Sequence, residues 1–485
     1  MSTADFRRHG HQVIDWIADY WESVDDKPVL AQVQPGDIAA RLPTSAPAES
    51  ESFDAVLADL DEILLPGITH WQHPRFFAYF PANSSPAAVL GDLISSGIGA
   101  QGMIWATSPA VTELEQVVLD WLAEALGLPE AFRHNGMGAG GGVIQDTAST
   151  ATFSAVLAAM HRATGGTSRT AGIPVGRYTI YGSSQAHSSL QKAAQMSGLG
   201  EDAVRVIGVD TYTQAMDVGQ LRAAAEKDIS EGRTPVMIQA AVGSTSTGAI
   251  DPVAEIGPVA REFGIWLHVD AAWAGVAAVR PELRWINDGV AEYVDSYVAN
   301  PHKWLLTTFD CSAFWVRDRT ALIGALSILP EYLRNPASES GTVVDYRDWH
   351  PQLGRRFRAV KLWAVLRTYG LSGLREHIGA GVDLARHVAD LVLGDDRFAF
   401  AAPPALGLVT FRIVADEEGR TLTDADADSV TMRTMELLNA SGIAYLSHTK
   451  VNGRIAMRLA VGGWRTSRQD VDRTWAEIQR LSCQQ

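Results

Sequence analysis

Of the 40 basic residues in this 485-residue chain, only Lys27, Lys192, Lys227, Lys303, Lys361 and Lys450 are lysines. Five stand in polar or amphipathic surroundings, where a solvated ammonium is expected. Lys303 differs: it follows the strand-like run YVDSYVAN, lies within Asn300-Pro301-His302-Lys303-Trp304, and is succeeded by Leu305 and Leu306. An amine in apolar surroundings tends to lose its proton, and the neutral amine is the form that condenses with a carbonyl to give a Schiff base. A lysine snorkelling from the end of a buried strand fits this context equally well. Asp270 closes the apolar run Ile265-Trp266-Leu267-His268-Val269 and precedes Ala271 and Ala272. A carboxylate there could keep a pyridine nitrogen protonated, and the alanines would leave room for the ring face, although a turn or helix cap is the more frequent role. Thr147-Ala148-Ser149-Thr150 opens the helical stretch ATFSAVLAAMHRA, so its N–H groups, hydroxyls and dipole suit a phosphate, or a simple N-cap. His187, in SSQAHSS after the strand-like TIYGS, offers a ring that can stack or hydrogen-bond.

These residues need a scaffold that brings strand ends together. From about residue 140, GRYTIYGS, AVRVIGV, TPVMIQAAVG, GIWLHVDAA, YVDSYVAN and CSAFWVRD read as buried strands, and segments such as 252–263 read as crossover helices. That alternation predicts a doubly wound α/β core with ligands at the carboxyl ends of its strands. Upstream, Val13, Ile14, Ile17, Ala18 and Trp21 form one helical stripe, and Phe53, Val56, Leu57, Leu60 and Ile63 a second, with a Pro- and Ala-rich linker at 35–50. Two such helices cannot bury their stripes alone, so residues 1–85 are expected to be an arm that packs on another lobe or subunit. Residues 86–360 would form the large domain. After the helical AVKLWAVLRTYG, the strand-like GLVTFRIV and GRIAMRLAV place a small α+β domain at 361–485.

Composition narrows the function classes. The balance of 40 Lys plus Arg against 56 Asp plus Glu, a net charge of -16, disfavours nucleic acid and anionic membranes as partners. It leaves open a local site for one small anion. Two cysteines, Cys311 and Cys483, give neither a disulfide scaffold nor zinc spacing. No metal is expected. No stretch reads as a signal peptide or membrane span, so a cytoplasmic location is expected. Gly136, Gly138 and Gly141 formally match GxGxxG, but no strand is read before them; the run is taken as a flexible loop, and a nucleotide-binding dehydrogenase as a weaker alternative.

The stretches HWQHPRFFAYFPANSS, WATSPAVTELE, SSQAHSS, WLHVDAAWAG, NPHKWLLTTFDCSAFWV and DYRDWHPQLGRRFR together resemble the aromatic L-amino-acid decarboxylases, the group II pyridoxal-phosphate decarboxylases. The resemblance runs from near the N-terminus to about residue 370 and continues faintly to the end. It implies fold type I, aspartate aminotransferase-like, and a homodimer with a shared active site clasped by the N-terminal arm. It also implies pyridoxal 5'-phosphate on Lys303, Asp270 at the pyridine nitrogen, and His187 stacked on the ring face opposite Ala272. Ala148, Ser149, Asn300 and His302, with Thr147 at the same helix start, would bind the phosphate. Ser246 stands where the animal enzymes carry threonine and would sit by the cofactor.

The resemblance further implies a proton donor in a loop that reads Pro330-Glu331-Tyr332-Leu333-Arg334-Asn335 here. Tyrosine at this position goes with amine formation, and phenylalanine with the plant aldehyde synthases, so Tyr332 predicts an amine and carbon dioxide. Oxidative decarboxylation to an aldehyde is the alternative, and a non-catalytic dimer a weaker one. Trp71, Tyr79, Phe80 and Pro81 would line the side-chain pocket and suit an aromatic ring. Gly354 corresponds to a position where plant members carry glycine with indolic substrates and serine with phenolic ones. Gln101 and Met103 depart from the Ile and Phe of the animal dopa enzyme. Tryptophan, 5-hydroxytryptophan, dopa, tyrosine and phenylalanine all remain open.

Overall fold

The apolar runs become strands because nearly all of them can bury the side chains they carry, the run at 204–207 excepted. In the computed structural model, which describes residues 1–136, 138–328, 336–339 and 342–484, seven strands form one sheet. They are β1 (Gly141–Gln145), β2 (Tyr178–Ser183), β3 (Val204–Ile207), β4 (Thr234–Ala241), β5 (Trp266–Asp270), β6 (Ser296–Ala299) and β7 (Ser312–Val316), in the order β1-β7-β6-β5-β4-β2-β3. β7 runs antiparallel to both its neighbours and every other pairing is parallel, so six strands point one way.

Five helices matter for position: α1 (Thr3–Ser23), α2 (Phe53–Asp59), α3 (Pro86–Ile98), α4 (Pro109–Ala125) and α5 (Ala148–Thr164). α5 covers one face of the large sheet, setting Ala151, Ala155, Ala158, Ala159 and Met160 in a core with Val143, Ile180, Met237, Trp266, Val298 and Phe314. Its alanines let the helix axis approach the sheet closely, which places its first turn level with the strand ends.

The glycine run is not a loop throughout. Gly141 and Gly142 enter β1, paired with Val316 and Trp315. A Cβ at Gly142 would lie 2.7 Å from the Trp315 ring, so the missing side chain there serves close packing. Lys361 likewise departs from the expectation of a solvated ammonium: it has no exposed surface and lies 3.2 Å from Asp92 Oδ2, since its helical stripe turns inward against α3.

The contacts divide the chain into two compact units, residues 1–81 with 386–401 and 410–485, and residues 82–385 with 402–409. The first boundary lies near the expected 85/86. The second falls at 385/386, inside the helix Ala359–Leu393, rather than at 360/361. The smaller unit holds most of a four-stranded sheet ordered β10-β11-β9-β8, built from β8 (Phe398–Phe400), β9 (Leu408–Ile413), β10 (Ser447–Val451) and β11 (Arg454–Ala460). Trp475 packs its ring 4.7 Å from Phe398 and 5.7 Å from Phe411. In the same unit α1 opens with a capping box between Ser2 and Asp5, yet His9 is its sole buried residue. No helix among the described residues is long and apolar enough to cross a membrane.

Candidate active site

The common direction of β1, β2, β4, β5 and β6 gathers the following residues at one edge of the sheet. β1 leads into Thr147–Thr150, β2 into His187, β4 into the loop with Ser246, β5 ends on Asp270, and β6 runs into Asn300–Lys303. Residues far apart in sequence thus share one address.

Asp270 is 8% exposed. Its Oδ1 accepts from the Ala272 N–H at 3.2 Å and its Oδ2 from Gln239 Nε2 at 3.2 Å. His187 retains an accessible surface, but neighbouring atoms desolvate its ring enough to push its pKa below the usual histidine value; Asp270 opposes that shift, and Lys303 and Lys192 add to it. The Ser189 N–H donates to His187 Nδ1 at 3.1 Å, so the neutral ring carries its proton on Nε2. Lys303 is half-buried in the single-turn helix Pro301–Trp304, and its charge acts on both His187 and His302. Asp270 and Lys303 therefore both lie within electrostatic range of His187.

The phosphate candidates divide into a helix start and a buried pair. Thr147 is the N-cap of α5 but makes no capping hydrogen bond, and Ala148, Ser149 and Thr150 are half-buried around that first turn. Asn300 is held by Ser312 Oγ, which donates to its Oδ1 at 2.6 Å. His302 accepts from the Cys311 N–H at Nδ1, 2.9 Å, and burial, reinforced by Lys303, lowers its pKa to about 3. It is a fixed neutral donor through Nε2. Ser246 is half-buried in a loop whose two ends are tied by Asp251, which accepts from Ala241 N at 2.8 Å and Met216 N at 2.7 Å. An uncapped helix start, a neutral imidazole donor, a buried carboxylate acceptor and the small Ala271 and Ala272 are the groups that a pyridoxal phosphate would need.

The pocket candidates lie in two groups. In the larger unit, Gln101 Oε1 accepts from the Arg355 N–H at 3.2 Å and lies 3.7 Å from where a Gly354 Cβ would stand. Met103 is half-buried nearby in sequence, its carbonyl accepting from Arg347 N. In the smaller unit, Trp71 stacks on Phe76 and Tyr79 with centroids 4.4 and 5.8 Å away, Tyr79 and Tyr445 hydroxyls meet at 3.2 Å, Phe80 lies under the Arg458 guanidinium, and Pro81 is buried. Tyr332 lies outside the described residues. Among those described, no group of three or more His, Cys, Asp or Glu side chains is placed to hold a metal.

Sequence reasoning missed the residues that hold these groups. Asn83 Nδ2 donates to the Lys303 carbonyl at 2.7 Å, Ser85 Oγ to the Leu306 carbonyl at 2.6 Å, and Thr308 Oγ1 to Asp92 Oδ2 at 2.6 Å. The motif FPANSS contained Asn83 and Ser85, yet only folding reveals what they touch.

The conserved domain described as "Pyridoxal-dependent decarboxylase conserved domain" matches residues 35–414. The chain is 44% identical to phenylacetaldehyde synthase of Arabidopsis thaliana, covering 99% of this chain and 96% of that protein. It is 43% identical to tryptophan decarboxylase 2 of Oryza sativa subsp. japonica, covering 98% and 94%. The crystal structure of Oryza sativa TDC with PLP and tryptamine superimposes with a TM-score of 0.96 at 42% identity, covering 99% of this chain and 98% of that one.

Proposed function

Given that the chain belongs to the pyridoxal-dependent decarboxylase family and is a carboxy-lyase using pyridoxal phosphate, we propose that it converts an aromatic L-amino acid to its amine and carbon dioxide. The observation that carries this reading is that Asp270 ends a strand, and His187 and Lys303 follow strands, at the carboxyl edge of the sheet, with Asp270 and Lys303 both acting on His187 electrostatically. When bound, pyridoxal phosphate supplies a conjugated ring that takes up the electron pair left by the departing carboxylate. Asp270, with one oxygen held by Gln239 and the other by Ala272 N–H, keeps a proton on the ring nitrogen. His187 would place its imidazole against the ring, and Lys303 would provide the amine that anchors the group and yields to the substrate. The first turn of α5 and His302 Nε2–H hold the phosphate. Tyr332 delivers the proton that completes the amine.

A homodimer belongs to the same proposal. Leu90, Leu93, Ile94 and Ile98 on α3 are each about half exposed or more, as is Phe6 on α1, and these apolar stripes fit a second copy of the chain. The identity to phenylacetaldehyde synthase favours one further reading, oxidative decarboxylation to an aldehyde. Both are tested by incubating the enzyme with tryptophan, 5-hydroxytryptophan, dopa, tyrosine and phenylalanine, and following carbon dioxide, amine, aldehyde and oxygen. Amine without oxygen uptake is expected, with aldehyde and peroxide rising in Tyr332→Phe. Stoichiometric aldehyde from the unaltered enzyme would reverse the order of the two readings.

A further inference from the structure

Gln239 sits within β4 with no exposed surface. A buried amide is expensive unless both its ends are paired. Its Nε2 donates to Asp270 Oδ2, while its Oε1 has no partner. Directly across in register, on β5, stands His268, also fully buried, whose Nε2 has no partner either. Side chains paired this way in parallel strands share a face, and His268 and Asp270, two residues apart, share it too.

The tautomer of His268 follows from its other neighbours. Ser296 Oγ accepts from Trp266 Nε1 at 2.7 Å and lies 2.9 Å from His268 Nδ1. Burial lowers the His268 pKa to about 4, so the ring is neutral at physiological pH. When the serine hydroxyl donates to Nδ1, the ring proton sits on Nε2. A buried N–H lacking an acceptor and a buried carbonyl lacking a donor thus stand on register-paired residues. A small side-chain rotation or one bridging water would join them. The result is a directional series: Trp266 to Ser296, Ser296 to His268, His268 toward Gln239, and Gln239 to Asp270. Every donor points toward the carboxylate, so each hydrogen bond polarises the next.

We propose that Gln239, backed by His268, is a positioning residue that fixes the plane of the Asp270 carboxylate against the ring nitrogen of pyridoxal phosphate. This rests on the reading of Asp270 as the group at that nitrogen. With Ala272 N–H on Oδ1 and Gln239 on Oδ2, the carboxylate cannot swing about its bond to Cβ.

The test uses full-length protein stripped of cofactor, titrated with pyridoxal phosphate and with an analogue that has carbon in place of the ring nitrogen. Unaltered protein is compared with Gln239→Leu and Gln239→Met, which keep most of the volume and remove the donor. Losing a buried hydrogen bond to a charged group weakens pyridoxal phosphate binding roughly tenfold, and analogue binding hardly at all. In the reloaded protein, the pH at which the bound cofactor changes its visible absorption shifts in both variants. Equal loss for the two ligands, or undiminished affinity for pyridoxal phosphate, overturns the proposal. If one variant does not fold, the ratio of the two affinities in the other decides. Unaltered protein that binds both ligands equally would instead remove Asp270 from the ring nitrogen.

Discussion

His73, His268, His302 and His350 are buried, and burial drives their pKa values to about 4, 4, 3 and 3. Each is neutral in the folded chain where the unfolded chain, titrating near 6.5, takes up a proton. Their contribution is complete above about pH 6.5 and is lost as pH falls toward 4, by up to about 1.4 kcal/mol per pH unit for each proton that only the unfolded chain binds. Asp251 acts in the opposite sense: burial raises its pKa to about 6, so it favours folding as pH drops through 6. His377, lowered by burial to about 4, joins the four, so these five histidines oppose Asp251. The melting temperature, followed by calorimetry in low salt, is therefore expected to fall steadily from pH 7 to pH 4.5; a flat or rising curve would contradict this. The histidines also show what sequence can carry at this scale. Lys303, Asp270 and His187 could be singled out as candidates because each follows a strand-like run, and the family resemblance then gave them one shared role. Gln239, Asn83 and Lys361 were not, because their partners lie 31, 220 and 269 residues away. A polar side chain takes its role from what folding brings to it.

The turn that carries Lys303 is an element held from outside itself. Leu306 sits at φ 55°, a left-handed conformation that costs a non-glycine residue about 1–2 kcal/mol. Asn83, Ser85 and Asp92 fasten the segment at Lys303, Leu306 and Thr308, and Lys361 neutralises Asp92 from behind. Strain of this kind persists only where surrounding contacts over-determine it. Asn83→Ala removes the hydrogen bond to the Lys303 carbonyl, and chemical denaturation is expected to show a loss of about 0.5–1.5 kcal/mol. Hydrogen exchange at residues 303–308 is expected to quicken while β4 and β5 stay protected; unchanged exchange in that peptide would mean that the turn holds itself. The central strands were legible as elements because their apolar runs are fully buried. β1 was hidden by glycines that make room for Trp315, and β10, Ser447–Val451, by the polar residues of a strand bordered on one side only.

For the whole molecule, the half-exposed row on α3 carries the expectation of a pair. Leu93→Glu combined with Ile98→Glu places two charges in that apolar stripe. Sedimentation is expected to show the unaltered protein at twice the 52.3 kDa chain mass and the variant at the chain mass, with decarboxylation lost alongside. An active, unaltered monomer would dismiss both the dimer and the shared site. The general α/β plan was legible from the alternation of runs, whereas the division into units was not, because it depends on which distant segments meet. Residues 1–81 share their unit with segments that begin at 386, and residues 82–385 belong to the other. During synthesis the ribosome therefore delivers nearly all of the larger unit before the smaller one can close. The opening segment must wait until the final strands and helix emerge, because the Val29 N–H donates to the Gly442 carbonyl and Arg75 pairs with Asp470. For those first residues, nascent-chain time is measured in almost the full length of the message.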